Sequence, residues 1–112
     1  MKRLLASLLA LSSSAFAIDL PGDFKGPLGL QLYSLRDQFP KDVPGTMAEI
    51  EKWGITDVEA AGTHGMTAEQ FKAELDKHHL KASGMHAQWN ELLSKMDKVI
   101  ADAKALGCEY VT

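Results

Sequence analysis

Along the chain, apolar positions follow two periods in turn. Over residues 29–35 (GLQLYSL) they alternate, with Leu30 and Leu32 on one face and Gln31 and Tyr33 on the other, which predicts a strand. Val43, Met47, Ile50 and Trp53 then recur at helical spacing, behind Asp42 as N-cap and ahead of Gly54 as a left-handed stop. Residues 55–61 (ITDVEAA) predict a second strand, ended by Gly62. Thr67 and Gln70 make a capping box for a helix with Phe71 and Leu75 on its inner face. Residues 80–86 (LKASGMH) predict a third strand, weakened by Lys81 and Gly84. From about Asn90 a third helix carries Leu92, Met96, Val99, Ala103 and Leu106 as its stripe, and Gly107 caps it. Residues 108–112 begin a fourth strand. Residues 18–28, rich in Pro, Gly and Asp, read as an irregular lead-in, and Phe39-Pro40 and Val43-Pro44 enclose a loop.

Strands and helices in strict alternation with short connections predict an α/β fold, its parallel strands joined by right-handed crossovers. The residues preceding the later strands, Gly54, His79 and Gly107, are 25 and 28 residues apart, so the units are regular. Open doubly wound sheets and (β/α) barrels of TIM type both begin this way. The first strand is followed by Ser34-Leu35-Arg36-Asp37-Gln38, with no Gly-rich phosphate loop, which argues against a dinucleotide-binding sheet. A complete barrel takes about 250 residues. The expectation is therefore the first half of a longer barrel, over residues 29–112.

The amino terminus reads differently. Met1-Lys2-Arg3 is cationic, residues 4–11 are apolar apart from Ser7, and Ala15-Phe16-Ala17 supplies small residues at the spacing of a signal-peptide cleavage site. The apolar run is far shorter than the ~20 residues that span a bilayer as a helix. Residues 1–17 thus predict a cleaved export signal, cut after Ala17, and a periplasmic or secreted protein without a membrane anchor. Its removal leaves 10 basic against 15 acidic side chains. With that balance and no basic run, nucleic acid is not an expected partner. The single cysteine, Cys108, excludes a disulfide framework and a Cys-rich zinc module, and its apolar segment predicts burial.

Four segments carry a resemblance: GLQLYSLRD in the first strand, KWGITDVEAAG across the first helix and second strand, SGMHAQW after the third strand, and ADAKALGCEYV into the fourth. In this order and spacing the chain resembles secreted members of the sugar phosphate isomerase/epimerase family, the xylose isomerase-like TIM barrels. One departure is His79, where such chains commonly place glycine. The resemblance implies isomerisation or epimerisation of a sugar or polyol by proton transfer next to a carbonyl. It also implies a divalent metal whose ligands (two Glu, an Asp and a His) lie on later strands outside this chain. This portion alone is then expected to be inactive and to bind no metal.

In such a barrel the site forms at the C-terminal ends of the strands. That criterion selects Tyr33 and Arg36 after the first strand, Glu59 and His64 at the second, and His86, Gln88 and Trp89 after the third. Glu59 lies between Val58 and Ala60, where a carboxylate must be paired or hydrogen-bonded, and alternation turns it toward the barrel mouth. Glu59 and His86 are the expected catalytic pair, the imidazole serving as a hydroxyl ligand or proton shuttle; each also has a purely structural reading. Tyr33 and Trp89 would form an apolar wall for a sugar ring or simply cap the core. Arg36 would meet an anionic substrate or pair with Asp37, and His64 would bind substrate or stay solvated. Glu59, His64 and His86 do not have the spacing of a metal-ligand motif. The rival readings are a non-catalytic barrel that binds carbohydrate or protein, and a small α/β domain that pairs its open edge with a second copy.

Overall fold

The computed structural model describes residues 25–112; the export signal expected over residues 1–17 lies outside them. Four strands, β1 (Gly29–Gln31), β2 (Asp57–Ala60), β3 (Lys81–Met85) and β4 (Tyr110–Val111), form one parallel sheet in the order of the chain. Helices α1 (Val43–Lys52), α2 (Ala68–Lys77), α3 (Trp89–Ser94) and α4 (Met96–Leu106) fill the connections. Consecutive parallel strands joined by helices, always to the next position in the sheet, are the arrangement of the first part of a (β/α) barrel.

Local chemistry places the helix ends where the sequence predicts them. The Asp42 carboxylate accepts the Gly45 N–H at 2.9 Å and starts α1. At α2 the Thr67 hydroxyl accepts the Gln70 N–H while the Gln70 side chain accepts the Thr67 N–H, so two orphan donors are satisfied reciprocally. Gly107 ends α4 at φ +74°. His79 takes the left-handed conformation at φ +56° without being glycine.

The core lies between the helices and one face of the sheet. Met47 and Ile50 of α1, Phe71 and Leu75 of α2 and Leu106 of α4 close over Val58, Ala60 and Ala82. Burying each of the larger of these side chains contributes roughly 1.5–3 kcal/mol, most of it offset by the entropy of ordering the chain.

Three expectations need correction. The first strand ends at Gln31; Leu32–Leu35 turn into a single 3₁₀ helix, which drops Leu32 into the core and leaves Tyr33 exposed. Phe39 lies in a turn, as expected, but that turn carries its side chain into the core, where it is fully buried. Trp53 and Met96, expected on inner helical faces, are 43% and 47% exposed, since no described element covers those sides of α1 and α4. The third helix is two helices. Lys95 leaves the helical region (φ −139°, ψ 35°), and the Ser94 hydroxyl turns back to the Asn90 carbonyl at 2.6 Å. No residue of α3 is buried, so no packing energy holds the two in one straight rod.

Candidate functional site

Four strands place one carboxylate at the centre of a polar cluster. Val58 and Ala60 point into the core, so Glu59 between them projects from the opposite face of β2. Gln31 of β1 is in register with Glu59 on that face, and its Nε2 donates to Glu59 Oε1 at 3.3 Å. His86, just past β3, sets its Nε2 against the same oxygen. Across β3, the Tyr110 hydroxyl donates to Glu59 Oε2 at 3.3 Å. The carboxylate side chain is 19% exposed and the imidazole 31%, so both are shielded yet reachable.

A slip in register makes this meeting happen. Val58 pairs with Ala82, but Glu59 pairs with Gly84, so Ser83 is the extra residue on β3. The Ser83 hydroxyl lies 3.3 Å from the Val58 carbonyl. Strict alternation from Ala82 would turn Gly84 and His86 toward the core. The extra residue reverses the parity, placing Gly84 and His86 on the Glu59 face and Met85 against the core.

Chemically the cluster is a carboxylate–imidazole pair with neutral hydrogen-bond donors around it. The imidazole Nε2 touches the carboxylate directly, and these are the two group types that general acid–base chemistry uses to pass a proton. His86 Nε2 also lies 3.1 Å from Gln31 Nε2, and both nitrogens converge on Glu59 Oε1. Among the described residues no three His, Cys, Asp or Glu side chains are placed to hold a metal ion.

The remaining expected site residues lie elsewhere. His64 stacks on Phe39, with ring centroids 4.6 Å apart and planes 6° apart, and meets Phe71 at 5.8 Å. Its Nε2 is buried without a hydrogen-bond partner, and burial lowers the imidazole below its ordinary pKa. Arg36 does not pair with Asp37. Its guanidinium lies 5.0 Å from the centre of the Tyr33 ring and donates to the Tyr33 carbonyl at 3.2 Å, so these two residues engage each other. Trp89 opens α3 and is 73% exposed. Gln88 precedes it, its N–H directed at the Glu91 carboxylate.

Gln31 and Tyr110 are the cluster members that sequence reasoning did not select. Each left a signal. Gln31 is a polar residue at the inward position of β1, and Gly84 inside β3 marks a place where another group comes close.

The chain is thus a parallel (β/α) architecture with a polar cluster on the sheet face opposite the core. Two crystal structures of sugar phosphate isomerase/epimerase from Parabacteroides distasonis share the fold. One matches at a TM-score of 0.63 with 23% identity over 76% of this chain, the other at 0.62 with 23% identity over 82%. The chain spans about two-fifths of the length of either structure, 40% in both cases. No family model matches the chain, and no curated protein matches it significantly by sequence.

Proposed function

We propose that the chain is the amino-terminal part of an exported sugar isomerase or epimerase, residues 18–112 following the cleaved signal, that acts on a sugar, sugar phosphate or polyol-derived carbonyl compound. The observation that carries this reading is the Glu59–His86 pair at the C-terminal edge of a parallel sheet, within a fold shared with solved isomerase/epimerases. The pair takes a proton from the carbon beside the substrate carbonyl and returns one to that carbon or its neighbour, so the product has the substrate's composition. Gln31 holds the carboxylate in place from β1. The divalent metal implied by the family resemblance would be held by side chains on later strands and would polarise the carbonyl oxygen.

The test reads the gene through the codon for Thr112 and uses the protein it encodes. About 150 further residues in strand–helix units are expected, with Glu, Asp, His and Glu at strand ends. That protein, given Mn²⁺ and a panel of ketoses and aldoses in D₂O, should place solvent deuterium beside the carbonyl. E59Q and H86N should each lower the exchange rate by roughly 10²–10⁴-fold, the usual worth of a general acid–base group. Sugar binding without exchange would replace the enzyme with a carbohydrate-binding barrel. A stop codon after Thr112 with a stable dimer of residues 18–112 would favour the self-associating domain.

A further inference from the structure

The contact between Tyr110 and Glu59 crosses a whole strand. Glu59 is on β2 and Tyr110 on β4, yet the hydroxyl reaches the carboxylate because β3 offers no side chain between them at that level. The register places Glu59, Gly84 and Tyr110 in one row. A Cβ built on Gly84 would fall 2.3, 2.5 and 2.8 Å from Cε2, Cζ and Cδ2 of the Tyr110 ring. Carbon atoms do not approach so closely, so the ring occupies the space where any other residue would put its side chain. Gly84 is not among the residues with positive φ, so its backbone does not demand glycine. The Tyr110 ring does.

We infer that Tyr110, laid over Gly84, is a positioning residue for Glu59: its hydroxyl occupies carboxylate Oε2 and thereby presents Oε1 to His86. A carboxylate on a strand turns readily about its last bond, and two donors on different oxygens fix that turn. Gln31 and His86 both meet Oε1 from the β1 and β3 sides, and Tyr110 alone among the described residues meets Oε2. Gly84 acts by leaving the passage open. The inference deepens the isomerase reading, but the hydrogen-bond geometry it describes stands apart from whether a sugar is turned over.

The test has two readouts on the variants Y110F, G84A and their combination. Proton NMR of the chain follows the His86 imidazole N–H, assigned by its loss in H86N. The expected result is a resonance that moves or exchanges away in Y110F and in G84A alike, with no additional change in the double variant, because both remove one hydroxyl from one oxygen. Y110F deletes only the hydroxyl of a half-exposed side chain, so its thermal unfolding midpoint should match the parent. In the longer gene product, kcat should fall roughly tenfold in Y110F with KM unchanged, as expected for one hydrogen bond to a charged group. An unmoved His86 resonance in Y110F, or additive effects in the double variant, would overturn the inference. A moved resonance in a protein that exchanges no deuterium would keep it and discard the isomerase reading instead.

Discussion

The imidazole of His64 lies flat on the ring of Phe39, 4.6 Å between centroids, and its Nε2 is buried without a partner. Protonation would place a cation in that stack with nothing to receive its hydrogen bond, which is why burial lowers its pKa. The unfolded imidazole takes up a proton near its ordinary value of 6.5, and the folded one only at lower pH. His64 therefore costs no stability above that value, and stability falls as pH drops below it. Denaturant unfolding at about pH 7.5 and about pH 5.5 should show a smaller acid loss in H64F than in the parent. Phenylalanine preserves the stack and has no proton to gain. Equal losses would place the pH dependence elsewhere.

Phe71 anchors α2 and also forms one wall of the His64 site, 5.8 Å from its ring. It is fully buried with Leu75 one turn later, so F71A leaves a cavity that rigid strands on the far side cannot close. A loss of about 3–5 kcal/mol is expected in denaturant unfolding. A loss below about 1 kcal/mol would mean that α2 repacks freely.

His79 adopts φ +56° with its side chain 83% exposed. Among the described residues its only close charged neighbour is Glu51 at 3.8 Å, a contact of little value at the surface. Glycine takes this backbone without strain, at the cost of a more flexible unfolded chain. H79G should raise stability by roughly 0.5–1 kcal/mol, seen as a higher denaturation midpoint with unchanged slope.

Cys108 is half-buried beside the core, and burial pushes its thiol above the ordinary value of 9.0. Little thiolate is present near neutral pH. Reaction with an aromatic disulfide reagent at about pH 8 should be slow in the native protein and at least roughly tenfold faster in denaturant. Similar rates in both conditions would mean that this end of the chain is open.

The alternation of strands and helices and the helix caps were legible because the forces that set them are local. Asp42 with Gly45, and Thr67 with Gln70, are each three residues apart, and Gly107 needs only its own backbone freedom. Glu59 was legible for a related reason: a carboxylate between two core-facing apolar residues has to face the other way and find partners. Trp53 and Met96 misled because a helical period assigns residues to a face without saying which face is covered. The stripe running through Lys95 likewise carried no information on the break, since an exposed helix lacks the packing that would keep it continuous.

The site belongs to another scale. Plain alternation along LKASGMH turns His86 away from Glu59, and the single residue of slip at Ser83 turns it back. That slip arises between β2 and β3, where Ser83 meets Val58 from 25 positions away. Tyr110 reaches Glu59 from 51 positions away through the gap at Gly84. Periodicity and caps are properties of neighbours in the chain and can be read from it; the direction of a side chain across a sheet depends on register between distant segments, which exists once the strands have paired.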